Sequence, residues 1–190
     1  MSISERGVMQ RLVLLIAAVV AAVATDSSAA RDAPGRTRTQ ATVINIPHSL
    51  QVEHQAIHEV LEAATQAAGP LAAAARELAA VLEPHFAREN EIALPPLGLL
   101  APLAAGEKPA GMKEALAMSD ALRKEMPRML REHTQIRAAV EKLRTVSRNE
   151  RASAYERFAD DLALHARSEE EVLYPAAILV GEIIRGRMMQ

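Results

Sequence analysis

A histidine and a glutamate four residues apart on a helix lie on one face, one turn above the other. This chain holds that pair twice, as His85 with Glu89 and as His165 with Glu169. Each copy has an acid two positions further on (Glu91, Glu171) and a proline ten after the histidine (Pro95, Pro175). Each is also preceded, 31 or 32 residues upstream, by a histidine that follows a glutamate: Glu53-His54 and Glu132-His133. The two halves thus supply four imidazoles and two carboxylates. Such a mixed set suits a pair of metal ions, iron first, with manganese or zinc as alternatives. A single histidine on an apolar face is ordinarily a core residue. Here that reading must hold four times and must also leave two glutamates at core-facing positions, where an unpaired charge is costly. A metal pair removes that cost.

Other polar residues are weighed against the same repeat. His58 lies one turn beyond His54, and two histidines at that spacing are competent for metal, so it is a seventh candidate ligand. Its counterpart in the second half is Arg137, which does not ligate. His48, beside Pro47, reads as a surface or capping residue. Glu53 and Glu132 sit about 100° around the helix from the histidines they precede. They either orient imidazoles on a neighbouring helix or are solvated charges. Glu91 and Glu171 point away and read as surface. No Ser-His-Asp set, Gly-rich phosphate loop or CxxC pair is present.

Four amphipathic helices are needed to carry these donors. The first is expected from near Pro47-His48-Ser49, with Ser49 as N-cap, and Leu50, His54, Ile57 and Leu61 share its face. Gly69-Pro70 is expected to stop it. The second runs from about Leu71 to Pro95-Pro96, with Leu78, Val81, His85, Glu89 and Ile92 on one face. A connector from Leu97 to Met112, with one short helix, joins the halves. The third helix follows from about Lys113, with Met129, His133, Ile136, Val140 and Leu143 aligned; Pro127 either kinks it or marks its start. The fourth begins after Arg148-Asn149, with Phe158, His165, Glu169, Val172 and Leu179 on one face and an interruption at Pro175. The expected architecture is all-α: an up-down-up-down four-helix bundle built from two helix-pair repeats, with an N-terminal signal segment.

Composition agrees. The 190 residues suffice for one domain, hold no cysteine and are 2% aromatic, which favours helices and excludes disulfides and thiolate metal sites. A net charge of -2 gives no reason to expect nucleic acid as a partner. Arg6 and Arg11 precede an apolar run, Leu12 to Ala24, that ends in Ala22-Val23-Ala24. This pattern reads as a secretory signal peptide over 1–24 and is shorter than the about 20 residues of a membrane span. A flexible linker over 25–45 and a metal-binding domain over 46–186 complete the chain. The protein is expected in the periplasm or outside the cell, with no stable membrane span after cleavage.

The order His54, His85-x3-Glu89, His133, His165-x3-Glu169 resembles the hemerythrin-like HHE cation-binding domain, over most of the mature chain. The resemblance implies a four-helix bundle around a non-haem di-iron centre. Histidines would be terminal ligands, and Glu89 and Glu169 bridges. Oxygen-carrying hemerythrins have an asymmetric set with five histidines; this chain has a more symmetric four-plus-two set, with His58 the one candidate for a fifth. The implied function is to bind or sense a small oxidant (O2, peroxide or NO) or to store iron. The alternative is a di-iron enzyme that disproportionates peroxide or reduces NO.

Overall fold

A computed structural model describes residues 44–189. The expected signal segment, 1–24, and all but the last two residues of the expected linker, 25–45, lie outside the described residues. Within them, α1 is His48–Thr65 and α2 is Gly69–Arg88. A π-helical turn, Glu89–Ala93, a 3-10 turn, Pro95–Leu99, and the short α3, Leu100–Ala104, follow. The second half begins with α4, Met112–Asn149, and continues through α5, Ser153–Ser168, a second π-helical turn, Glu169–Leu173, and α6, Tyr174–Met188. Four helical rods result, with no strand among the described residues, as a four-helix bundle requires. The long α4 packs on α2, α5 and α6, and α1 on α2 and α5. No helix among the described residues is long and apolar enough to cross a membrane.

Apolar side chains fill the bundle in three clusters, two of which flank the donors as layers. One joins Leu78 and Leu82 of α2, Ile136 and Val140 of α4, and Phe158 and Leu162 of α5. The other joins Ile92 and Leu94, Leu122 and Met129 of α4, and Tyr174 and Ala177 of α6. On every rod of that core the repeated histidines and glutamates fall between the layers, at 85 and 89, at 133, and at 165 and 169. Hydrocarbon on both sides keeps bulk water from the donors, which strengthens any electrostatic interaction made there. Where α4 meets α6, the absence of a side chain at Gly181 permits close approach: a Cβ there would stand 2.6 Å from that of Ser119. Ser119 Oγ then donates to the Ala177 carbonyl at 2.7 Å.

Several local expectations are corrected. Ser49 lies inside α1, whose N-cap position is Pro47, and no side chain caps that end. Gly69-Pro70 opens α2 rather than ending α1, which stops at Thr65. Gly69 takes φ 67, open to a residue without Cβ, and Pro70 fills the first turn, where its missing N–H costs nothing. Pro127 does not begin a helix; α4 runs continuously past it.

The largest correction lies at the glutamates. Each helix switches from α to π winding at the glutamate itself, Glu89 and Glu169. The Leu94 amide bonds the Glu89 carbonyl at 2.9 Å, five residues back, and the Tyr174 amide bonds the Glu169 carbonyl likewise. A proline follows immediately in both halves. Proline has no amide to give and its ring collides with the carbonyl four residues before it; the wider turn absorbs the mismatch. One extra residue per turn also rotates everything downstream. Val172 and Leu179, expected on the buried face, are 59% and 55% exposed, and Tyr174, Ala177, Val180 and Ile184 take the interior instead.

Candidate metal centre

All six repeated residues are buried: His54, His85, Glu89, His133, His165 and Glu169 each expose 7% or less. They form two clusters close enough for a metal ion each, His85, Glu89, His133 and Glu169 in one, and His54, His165 and Glu169 in the other. The carboxylates connect them. Glu169 directs Oε2 to His133 Nε2 at 3.3 Å and Oε1 to His165 Nε2 at 2.8 Å and His54 Nε2 at 3.5 Å. Glu89 directs Oε1 to His85 Nε2 at 3.5 Å and Oε2 to His54 Nε2 at 3.7 Å. Each glutamate therefore faces both histidine pairs with separate oxygens.

The hydrogen-bond inventory tests whether cations fit here. Buried polar groups are almost always paired. Among the described residues six buried side-chain atoms lack a partner, and five belong to this set: His54 Nδ1 and Nε2, Glu89 Oε2, His165 Nε2 and Glu169 Oε1. His165 Nε2 and Glu169 Oε1 are only 2.8 Å apart, yet not aligned to bond each other. His85 and His133, their rings tilted by 60°, set their Nε2 atoms 2.8 Å apart. Lone pairs that converge without satisfying one another are what a cation between them satisfies, and nitrogen and oxygen donors suit a first-row divalent metal. The residues present fit a pair of such ions.

The outward nitrogens are held by carboxylates. His85 Nδ1 donates to Glu132 at 2.9 Å, His165 Nδ1 to Glu53 at 2.9 Å and His133 Nδ1 to Glu170 at 2.8 Å. A carboxylate only accepts, so the proton sits on Nδ1 and the Nε2 lone pair turns inward. Glu53 and Glu132 thus orient imidazoles across the helix interface rather than standing as solvated charges. Arg128 bonds Glu132 at 2.7 Å and Arg137 bonds Glu170 at 2.6 Å, fixing those acceptors in turn. Glu91 and Glu171 are exposed, as expected, with Glu91 paired to Arg88.

In the absence of metal, protons must balance these charges. Burial works against ionisation of Glu169, but His133, His165 and His54 together hold its carboxyl well below the usual range. Glu89, with burial and the Glu169 charge against it, moves the other way and is raised. Two buried carboxylates this close do not both ionise cheaply. Burial lowers the affinity of His165 for a proton, yet Glu169 and Glu53 outweigh it and raise the imidazole to about 9.

Besides Glu170, two residues not singled out in the sequence complete the centre. Tyr174 is fully buried, and its hydroxyl donates to Glu89 Oε1 at 2.5 Å while lying 3.3 Å from His85 Nε2 and 3.1 Å from His133 Nε2. Phe86 stacks on His54 with ring centroids 4.0 Å apart. Half of the chain's four aromatic residues thus sit against the donors. Tyr174→Phe is expected to retain metal while destabilising the metal-free protein by about 1–3 kcal/mol, because Glu89 loses its buried donor. Urea melts of the chelated variant and wild type measure this; equal midpoints would contradict it.

His58 belongs to neither cluster. It is exposed and lies on the wall of a surface pocket together with His54. His58→Ala is therefore expected to keep the full complement of metal on elemental assay; loss of an ion would return it to the ligand set. His48, also exposed, starts α1 away from both clusters.

Comparison with known proteins follows the same lines. The family model for the hemerythrin HHE cation binding domain matches residues 45–177. No curated protein and no solved structure matches the chain to a comparable standard.

Proposed function

The chain belongs to the hemerythrin HHE cation-binding domain family, and from that premise we propose that its six buried donors hold two metal ions, iron above all, as a centre that binds a small oxidant. The observation that carries this is the pair of glutamates, each with one oxygen toward His85 or His133 and the other toward His54. When bound, a ferrous pair supplies electrons and an open position for O2, peroxide or NO.

The remaining work belongs to the protein. His54, His85, His133 and His165 would hold the ions through nitrogen, and Glu89 and Glu169 through carboxylate oxygen. Glu53, Glu132 and Glu170 hold three of the imidazoles in the tautomer that turns Nε2 inward. The apolar layers at Leu82 and Ile136 and at Met129 and Ile92 exclude water, protecting a reactive ligand from side reactions.

A second reading, peroxide disproportionation or NO reduction, is favoured by one feature: Tyr174 brings an O–H among the donors, and both reactions consume or relay protons. Steady-state assays of the iron-loaded protein with peroxide and with NO plus an electron donor separate the two. Reversible binding without turnover supports the carrier or sensor; sustained turnover, lowered in Tyr174→Phe with metal retained, supports the enzyme.

A further inference from the structure

The two halves share their histidines and glutamates but differ in the latch that stands behind one histidine of each. In the second half Arg137 bonds Glu170, and Glu170 bonds His133 Nδ1. The corresponding first-half positions hold His58, Asn90 and His54. No bond joins them, and both ring nitrogens of His54 lack a partner although the residue is only 7% exposed. Asn90 is shorter than glutamate and carries no charge for His58 to anchor. His54 alone among the four histidines has no carboxylate behind it; Phe86 stacked on its face is its support.

The surfaces outside the two latches differ accordingly. Beside α1 and α2 lies a pocket of about 550 Å³ whose wall includes His54 itself, with His58, Asn90, Gln51, Gln55 and a single carboxylate, Glu83. Beside α4 and α5 lies a pocket of equal volume, about 550 Å³, lined by Arg137, Arg144, Arg167, Glu141, Glu170 and Glu171. His133 is not on that wall and is fully buried behind the Arg137–Glu170 pair. One side of the centre is sealed by charge; the other is faced by a loosely held imidazole.

We propose that the pocket walled by His54, His58 and Asn90 is where a small nitrogen- or oxygen-donor molecule reaches the centre, and that His54 is the donor that yields to it. The proposal rests on the metal-binding reading above. Amide and imidazole groups on this wall offer hydrogen bonds to a small molecule, uncharged above all because Glu83 is also on the wall, and the volume exceeds that of imidazole or azide. On the opposite side the same molecule would have to break the Arg137–Glu170–His133 chain first.

Imidazole and azide are the probes. His54→Gly is expected to lose metal and to regain it in excess imidazole, which occupies the vacated ring position through the pocket. His133→Gly is expected to lose metal without recovery, its vacated position lying behind the latch. Recovery of both variants, or of neither, overturns the proposal. A second variant leaves every donor in place: His58→Arg with Asn90→Glu rebuilds the second-half latch on the first half. In iron-loaded protein this double variant should slow azide binding, followed by its visible absorption change, by roughly tenfold or more, the scale on which groups behind a ligand act. An unchanged rate overturns the proposal. Wild-type protein that holds no metal pair would instead defeat the metal-binding reading itself.

Discussion

Glu169→Gln is expected to empty both halves of the centre. The substitution keeps the shape of the side chain and removes only its charge and one acceptor. Glu169 is the one residue common to both clusters, facing His133 with one oxygen and His54 and His165 with the other. Each ion would keep two imidazoles and at most one oxygen of Glu89, a poor set for iron. Metal content should fall from about two ions per chain to near none, since binding free energy depends on the whole deprotonated donor set. The loss should exceed that of His54→Ala, which removes a donor from one cluster only. Elemental analysis of the purified variants decides it; retention of two ions by Glu169→Gln would show that Glu169 does not bridge. A Glu89→Gln variant, read the same way, tests the second bridge.

Chelation is expected to cost the protein much of its stability, and more so at high pH. An ion held by the folded state alone stabilises it by about 4 kcal/mol at a thousandfold excess over its dissociation constant. For a domain of this size that corresponds to a melting temperature lower by about 8–16 °C after chelation. The pH dependence follows from what takes the place of metal. His165 is raised to about 9 in the metal-free fold. Its contribution is therefore full below the unfolded value near 6.5 and is lost as pH rises through about 9. Glu89, also raised, resists ionisation in the fold and so withdraws stability as pH climbs above its unfolded value. Glu169 is lowered, so its contribution is present above the unfolded carboxylate value and is lost only as pH falls below that. The metal-free protein should be most stable between about pH 5 and 6.5 and weaken toward pH 9. Metal competes with protons for the same nitrogens, so binding strengthens over that range. The gap in melting temperature between loaded and chelated protein should widen from pH 6 to pH 9; a constant gap would mean that metal does not replace protons at these groups.

The donors were legible in the sequence because a duplicated motif repeats its chemistry. His54, His85, Glu89, His133, His165 and Glu169 fall on helical faces at fixed offsets, and nothing in the folded chain moves them off. The helices were legible for the same reason, since their apolar spacing is regular up to each glutamate. What helical spacing does not show lies where regularity ends. A π-helical turn breaks the 3.6-residue period, so regular helical spacing puts Val172 and Leu179 on the wrong face and does not reveal Tyr174. The prolines at matched positions, Pro95 and Pro175, were the signal of that break. Glu170 carries no repeat signal, because its counterpart is Asn90, and neither does Tyr174, with Leu94 opposite it. Repeats reveal what two halves share, and the asymmetry in the groups behind the histidines lies in what they do not. Helix ends are the least legible: α1 starts without a side-chain cap, and Gly69 serves the next helix rather than the last.

The claim on which the rest depends is that the six buried donors hold a pair of metal ions. Elemental analysis together with the visible spectrum, on protein produced in iron-supplemented medium, tests it most directly. Two irons per chain are expected, with absorption of a ferric pair that changes on addition of azide or peroxide and disappears in Glu169→Gln. A stable, helical protein that carries no metal, or a single ion indifferent to Glu169, would contradict it.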